Sequence, residues 1–221
     1  MPVLCARLLS PLSFPQDSIW DQAYNPKVTC PGEYEIIAGS PIIIDAAGAG
    51  FQLTSIDNGV KFDLMGDGRR RQVAWTARGT RNAFLALDWD GDGKIDSGKE
   101  LFGNFTPQPE RAEKNGFAAL AEYDKPAKGG NGDGIIDEHD AVWPHLRLWI
   151  NANHDAIAQT SELFTLPQLG VYSLGIKWSK FPTNDVFGNV FMYSAAVNPN
   201  LKDGTSKDGR IAYDVFLRMQ P

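Results

Sequence analysis

Between residues 41 and 88, short apolar runs alternate with turns rich in glycine and aspartate. The runs read PIIID, FQLTS, VKFDL, RQVAWTA and AFLALD, and the segments between them include AGAG, DNG and GDG. Runs of this length with such punctuation predict β-strands. Asn58-Gly59 indicates a hairpin, because both residues tolerate the positive φ of a type I′ turn. We therefore predict an antiparallel meander over residues 41–88.

Beyond residue 88 the pattern predicts short helices and then further strands. NGFAALAEY (115–123) has apolar residues at helical spacing, and ELFTLPQLG (162–170) predicts a short helix that ends at Gly170. Alternating runs LRLWIN, VYSLGIKW, NVFMYSAAV and RIAYDVFL predict strands, and a turn-rich DGTSKDG segment joins the last two. The predicted fold class is α+β, an antiparallel β-rich domain whose short helices frame acidic loops.

The proline pattern suggests how the chain is organised. Residues 1–40 contain five prolines and no sustained periodicity, which predicts a leader or a segment lying over the surface. Residues 41–221 are predicted to form a single domain, with the meander at 41–88, acidic loops at 88–162 and C-terminal strands at 171–218. Cys5 and Cys30 both lie in the leader, where one disulfide and two unrelated thiols are equally consistent with the sequence.

Composition narrows the class of protein. The chain has 221 residues, of which 43% are apolar and 11% aromatic, as expected for a packed globular protein. Its net charge of -6 argues against nucleic acid as a partner, since phosphate binding needs a concentrated basic face. No apolar stretch approaches the roughly 20 residues needed to span a bilayer. The N-terminus shows no clear signal peptide, because it lacks a continuous apolar core followed by a cleavage site.

The segment DWDGDGKIDSGKE (88–100), here called the first loop, has the layout of a calcium-binding loop. Calcium takes six to eight oxygen ligands, and a loop that turns at a glycine aims alternate side chains inward. The predicted side-chain ligands are Asp88, Asp90, Asp92 and Glu100, with the Lys94 carbonyl as a backbone ligand and Asp96 binding directly or through water. The final acid falls at loop position thirteen instead of twelve, and the turn at Ser97-Gly98 can absorb the extra residue.

The second loop repeats this motif in NGDGIIDEHD (131–140). Position one would fall on Gly129, which has no side chain, so we expect Asp124 to substitute while KPAKGG loops out. The predicted ligands are Asp124, Asn131, Asp133, the Ile135 carbonyl, Asp137 and Asp140.

The third loop is NANHDAIAQTSE (151–162), with predicted ligands Asn151, Asn153, Asp155, the Ile157 carbonyl and Glu162. Ala156 replaces the usual glycine, and a left-handed backbone there is strained. A further candidate, DLMGDG (63–68), has Met65 where an oxygen ligand belongs and is predicted to be a tight hairpin turn.

Charge at these positions falls from the first loop to the third, and affinity should fall in the same order. We predict two Ca²⁺ sites and a third loop that is degraded but usable. Magnesium is less suited, because it demands octahedral geometry and keeps several waters.

The chain resembles bacterial secreted proteins with EF-hand-like calcium loops, including modules found next to RTX-type repeats. The resemblance covers about residues 40–195 and rests on an ordered set of motifs: SPIIID, FDLMGDG, AFLALDWDGDGKIDSGKELFGNFTPQP, NGFAALAEYDKPAKGGNGDGIIDEHDAV, LRLWINANHDAIAQTSEL and LPQLGVYSL. It implies an extracellular or cell-surface bacterial location. Some related modules in RTX toxins cleave an Asp-Pro bond at their upstream edge when activated by calcium, but this sequence contains no Asp-Pro dipeptide.

The remaining residues give no sign of catalysis. His139, His145 and His154 are scattered, and no serine lies in a nucleophile-elbow pattern. Trp75, Trp143, Trp149 and Trp178 flank or lie in apolar runs and are expected to pack in the core, whereas Trp89, at position two of the first loop, is expected to be exposed beside the metal site. We interpret the chain as a non-enzymatic calcium-binding module that calcium stabilises. The alternatives are a calcium-dependent self-processing or hydrolytic module, and an adhesion or carbohydrate-binding module; the sequence identifies no protein or glycan partner.

Overall fold

A computed structural model of the protein describes residues 37–199 and 210–221. Its strands are β1 (Ile37–Gly39), β2 (Ile42–Asp45), β3 (Val60–Phe62), β4 (Arg71–Val73), β5 (Asn82–Ala86), β6 (Ile135–Ile136), β7 (Arg147–Trp149), β8 (Leu163–Phe164), β9 (Leu174–Gly175), β10 (Ser179–Asn184), β11 (Val190–Ala196) and β12 (Ile211–Met219). One α-helix, α1 (Gly116–Leu120), occurs among the described residues. Short 3-10 turns occupy Ala121–Asp124, Pro126–Lys128, Trp143–His145, Thr160–Glu162 and Pro167–Leu169.

The fold is organised around β12, the longest of these strands. The main path of the large sheet runs β10-β11-β12-β2-β5-β7-β8, and every strand pair in it is antiparallel. Residues 211–216 of β12 pair with β11 and residues 212–214 with β2, while residues 217–219 pair with β1 and Met219 with β4. The strands β3 and β4 form a hairpin, and β6 and β9 form a separate small sheet.

The prediction of an α+β fold with helices framing the loops was wrong. The helix α1 has only five residues, and Asn115 caps it by accepting a hydrogen bond from the Ala118 N–H at 2.8 Å. The chain then tightens into a 3-10 turn, and Lys125 is extended (ψ 138°) as expected for a residue before proline. Pro126 therefore prevents the helical pattern of residues 115–123 from growing into a longer element.

The second predicted helix, at residues 162–170, is instead a short strand followed by a 3-10 turn. Leu163 and Phe164 pair with β7 as strand β8, and only Pro167–Leu169 forms a 3-10 turn. Gly170 ends that turn in the left-handed region with φ 69°, at the position where the sequence places the end. The backbone hydrogen bonds available beside β7 therefore override a local helical pattern.

The pairing of the early strands differs from a simple meander. β2 pairs with β5 and β12, whereas β3 pairs with β4. Neither Asn58 nor Gly59 has a positive φ, so the predicted type I′ hairpin is wrong. A Cβ atom on Gly59 would lie 1.8 Å from the Val73 carbonyl oxygen. Glycine is needed there because β4 approaches closely, and not because of the backbone angle.

The central strands are buried on both faces. Alternate residues of a strand point to opposite sides of the sheet. Ile42 and Ile44 therefore enter one hydrophobic cluster, the first core, and Ile43 enters another, the second core. The first core contains apolar residues of α1 together with Ile42, Ile44, Ile136 and Val142. The second core contains an aromatic group with ring centroids 4.4–5.8 Å apart, made of Phe62, Trp75, Phe84 and Trp149.

This arrangement confirms the prediction that Trp75 and Trp149 pack in the core. Trp143 and Trp178 are partly buried against the first core, and Trp89 is 54% exposed. The DGTSKDG connection and most of the predicted leader, including Cys5 and Cys30, lie outside the described residues. Within the described part of the chain, no helix has the length and apolar character needed to cross a bilayer.

Candidate metal centre

The first loop gathers carboxylates just beyond the end of β5. One oxygen each of four side chains lies within 4.8 Å of the others: Asp88, Asp90, Asp92 and Glu100. Asp88 holds the turn, because its two oxygens accept hydrogen bonds from the Gly91 N–H at 2.8 Å and the Gly93 N–H at 3.0 Å. Among the described residues this is the one such group of three or more Asp, Glu, His or Cys side chains. A hard cation requires an oxygen cluster of this kind.

Glu100 is the buried member of the group and is only 4% exposed. Its Oε2 accepts hydrogen bonds from the N–H groups of Asp96 and Ser97 at 2.9 and 3.2 Å, while its buried Oε1 has no hydrogen-bond partner. Burial raises the pKa of Glu100, and the nearby Asp90 and Asp96 raise it further. An unpaired buried carboxylate oxygen is costly, and a cation at this point would satisfy it. The residues present therefore fit a metal ion.

The other first-loop residues surround this point. Asp90 and Asp92 are exposed, and a hydrogen bond from the Lys94 ammonium group at 3.1 Å lowers the pKa of Asp92. Asp96, predicted as a direct or water-mediated ligand, is outside the carboxylate group and contributes its N–H to Glu100. The Glu100 N–H donates to the Ser97 carbonyl oxygen at 3.1 Å, and this turn accommodates the acid at position thirteen.

In the second loop, Asp124 occupies the structural position of Asp88. Its two oxygens accept hydrogen bonds from the Gly132 N–H at 3.1 Å and the Gly134 N–H at 3.0 Å. The intervening residues form an excursion that returns at Gly130, where a Cβ atom would lie 2.1 Å from the Asp124 backbone. A residue remote in sequence thus takes position one because the chain closes tightly on itself.

Asp140 lies opposite in the second loop and is 2% exposed. Its oxygens accept hydrogen bonds from the Asp137 N–H at 2.9 Å and the Asn131 N–H at 3.4 Å, and burial raises its pKa. The Asn131 amide donates to Asp133 at 2.9 Å, whereas Asp137 pairs with the His139 ring at 2.8 Å and thereby raises the pKa of His139. The Ile135 N–H donates to Asp133 at 2.9 Å. The second loop is therefore closed by backbone donors around two buried carboxylates.

The third loop has the same backbone without glycine. His154 and Ala156 have φ values of 63° and 56°, so the left-handed conformation expected at Ala156 is present. The Asn151 side chain accepts a hydrogen bond from the Ala156 N–H at 3.0 Å, and the buried Glu162 accepts from the Ala152 N–H at 2.9 Å. Asn153, Asp155 and Ile157 are exposed around it. This loop is thus built like the others but is lined by amides as well as carboxylates.

The same turn also occurs at two places that lack a full set of ligands. Asp45 accepts from the Gly48 and Gly50 N–H groups, and Asp63 accepts from the Gly68 N–H at 2.7 Å. The sequence signal is D-x-x-G-x-G at 45–50, 63–68 and 88–93. The prediction of a hairpin turn at 63–68 is confirmed, since this segment joins β3 to β4. The copy at Asp45 was missed because alanines occupy positions three and five.

A buried acid outside the loops was also missed. Asp214 in β12 is fully buried, and its Oδ2 accepts a hydrogen bond from the Gly116 N–H at 2.7 Å. Its Oδ1 has no partner, and burial raises the pKa of Asp214 to about 7. In the run RIAYDVFL it looks like an ordinary outward-facing polar position of a strand.

The fold and the loops together define a β-rich domain with oxygen-lined acidic turns. The chain belongs to the SPM domain family, whose sequence profile matches residues 42–217. It is similar to the iron-regulated protein FrpA of Neisseria meningitidis serogroup C, with 34% identity over 178 residues. That alignment covers 79% of this chain and 15% of FrpA, so the chain spans a small part of that relative's length.

Proposed function

We propose that this protein is a non-enzymatic calcium-binding module of a secreted or surface bacterial protein, in which calcium stabilises the fold. The observation that carries the proposal is the unpartnered, buried Oε1 of Glu100, whose carboxylate is grouped with those of Asp88, Asp90 and Asp92. Without a cation these carboxylates repel one another. A cation that binds only the folded state stabilises it in proportion to the logarithm of its concentration over the dissociation constant.

Backbone hydrogen bonds connect the first loop to neighbouring segments, so an ion bound there would stabilise those segments as well as the loop. The Leu87 N–H donates to the Glu100 carbonyl oxygen at 2.8 Å, and the Phe102 N–H donates to Leu85 at 3.1 Å, so the loop closes against β5. The Gly98 N–H donates to the Asp63 carbonyl oxygen at 2.8 Å and joins the loop to the β3–β4 turn. An ion held by Glu100 would clamp these segments together.

The relative and the resemblance support an extracellular setting. The matched segment is one part of the much longer FrpA, and the sequence resembles modules found next to RTX-type repeats. Extracellular calcium modules bind at about 10⁻⁴ to 10⁻³ M. We infer that the module gains stability where calcium reaches millimolar concentration, outside the cell.

The test is thermal unfolding in chelator and in millimolar calcium, with native mass spectrometry to count bound ions. Two sites at ten times their dissociation constants contribute roughly 3 kcal/mol, a rise in Tm of about 6–10 °C. Glu100→Gln should lose about half of this rise and one ion. Glu110→Gln, at a side chain that is 90% exposed, is the matched control and should respond like the wild type. An unchanged Tm with no bound ion would overturn the proposal.

A calcium-dependent self-processing module is the second candidate. The feature that bears on it is the Ser40–Pro41 bond, which directly precedes the matched region and is buried, with Ser40 beside the Asp214 carboxyl group. Ser40 offers a hydroxyl group where cleavage of an Asp-Pro bond requires a carboxylate. The wild type should stay intact in calcium, whereas Ser40→Asp, which creates an Asp-Pro bond at this place, should release a fragment that begins at Pro41 if the module can process itself. A wild-type fragment that begins at Pro41 would favour self-processing instead.

A further inference from the structure

The orientation of the Asn151 side chain is fixed by two donors. Its Oδ1 accepts hydrogen bonds from the Trp75 indole N–H at 3.1 Å and from the Ala156 N–H at 3.0 Å. Both groups can only donate, so the amide oxygen must face them. Asn151 is 2% exposed and Trp75 is fully buried. Reversing the amide would leave two buried donors facing an NH₂ group, which folded proteins avoid.

The amide NH₂ group consequently points into the middle of the third loop. It faces oxygens at loop positions three, five and twelve: Asn153 Oδ1 at 3.1 Å, Asp155 Oδ1 at 3.3 Å and Glu162 Oε2 at 3.4 Å. These are the side chains whose oxygens would surround a cation in a loop of this layout. The NH₂ group thus occupies the position of the ion and supplies the positive end of a dipole there.

The remaining oxygens of the third loop are satisfied within the protein. Glu162 Oε2 also accepts from the Trp149 indole N–H at 3.3 Å, and Asp155 Oδ2 accepts from the Gln159 amide at 2.7 Å. Both Glu162 oxygens have partners, whereas Glu100 Oε1 in the first loop has none. Position one of the first loop is Asp88. Its oxygens accept hydrogen bonds from backbone N–H groups and keep further lone pairs for an ion.

We propose that the third loop is closed by the Asn151 amide in place of a cation, and that Asn151 is the residue that keeps calcium out of this loop. The proposal rests on the proposed function of the first two loops. It replaces the expectation of a degraded but usable third site. The loop then holds Trp75 and Trp149 in the second core at any calcium concentration.

Asn151→Asp tests this directly, because an aspartate offers an oxygen both to the Trp75 indole and to the loop centre. Native mass spectrometry of the full chain in calcium should show one more ion than in the wild type. In chelator its Tm should fall, since three carboxylates then meet without a counter-charge. Asn153→Asp is the matched control: it adds the same charge to the same loop but leaves the amide in place, and should bind no additional ion.

Asp155→Asn in the otherwise native chain keeps the inference testable even where Asn151→Asp folds poorly. It should leave the number of bound ions unchanged, whereas Glu100→Gln and Asp124→Asn should each remove one. A loss of one ion in Asp155→Asn, or a folded Asn151→Asp with no extra ion, would overturn the inference. A wild-type count of zero would instead contradict the proposed function, while a gain of one ion in Asn151→Asp would still support the amide lock.

Discussion

Asp214 sits in the middle of β12 with its carboxyl group shut off from water. Its Oδ2 accepts a hydrogen bond from the Gly116 N–H at 2.7 Å, and its Oδ1 has no hydrogen-bond partner. The Ser40 side chain lies beside the carboxyl group and favours its charged form. Burial disfavours the charged form and raises the pKa to about 7. The carboxyl group therefore links the start of α1 to β12 and to the segment before β2 in its protonated form.

This single residue should make the fold less stable as the pH rises towards neutrality. An unfolded aspartate loses its proton near pH 3.9, whereas folded Asp214 keeps its proton up to about pH 7. Its contribution is full below the unfolded pKa and is lost through the folded pKa, about 2–3 kcal/mol between pH 5 and 7. At a fixed calcium concentration, Asp214→Asn should lack this slope in denaturant unfolding. Parallel pH profiles for the two proteins would contradict this assignment.

For single residues, the sequence predicts which side chains line a loop better than it predicts their orientation and hydrogen-bond partners. Alternating acids near glycines place Asp88, Asp90, Asp92 and Glu100 together because local spacing determines the turn. The direction of the Asn151 amide depends on Trp75, which is 76 positions away, and no local pattern contains that contact. Long-range contacts of this kind are set by the fold.

At the level of elements, strand positions follow the sequence but their partners do not. PIIID contains β2, and AFLALD covers β5 except for its first residue, because β-branched and aromatic runs suit a buried sheet. Their pairing through β12 brings residues about 170 positions apart into register, such as Ile42 with Asp214. The predicted helices are shorter in the structure for a different reason. A few apolar residues at helical spacing are also compatible with a 3-10 turn.

The β3–β4 hairpin gives a test of close packing against backbone strain. In Gly59→Ala the new methyl group would meet the Val73 carbonyl oxygen, which should cost about 3 kcal/mol or more. Gly48→Ala is the matched control, since Gly48 has a φ of 70° but open space around it, and should cost about 1–2 kcal/mol. Denaturant unfolding measures both. A larger loss in Gly48→Ala would mean that backbone conformation matters more than the approach of β4.

On the scale of the whole molecule, the acidic loops attach to opposite faces of the sheet. Ile95 of the first loop, Leu101 directly after it and Ala156 of the third loop enter the second core, whereas Ile136 of the second loop enters the first core. The acids in these segments are balanced to different degrees. The turn at 63–68 pairs Asp67 with Arg71 at 2.7 Å, the third loop uses the Asn151 amide, and the first leaves Glu100 Oε1 open.

Disturbing the first and second loops should therefore loosen different faces. In calcium, Glu100→Gln should speed amide hydrogen exchange in residues 94–102 and in the β3–β4 hairpin. Asp124→Asn places an NH₂ group against the Gly132 or Gly134 N–H, and should speed exchange in α1, β6 and its partner β9. The loss of such buried hydrogen bonds costs about 1–3 kcal/mol, which corresponds to roughly 5- to 150-fold faster exchange through local opening.

Glu138→Gln is the control for this comparison, because it removes one charge from the second loop at an exposed position that is not a predicted ligand. Its exchange pattern should match that of the wild type. The expected separation follows from the sheet itself: strands such as β2 and β5 send alternate side chains into the two cores, so a change in one core reaches the other through these shared strands. If either variant accelerated exchange equally on both faces, the two cores would form one cooperative unit, and the loops could not stabilise them separately.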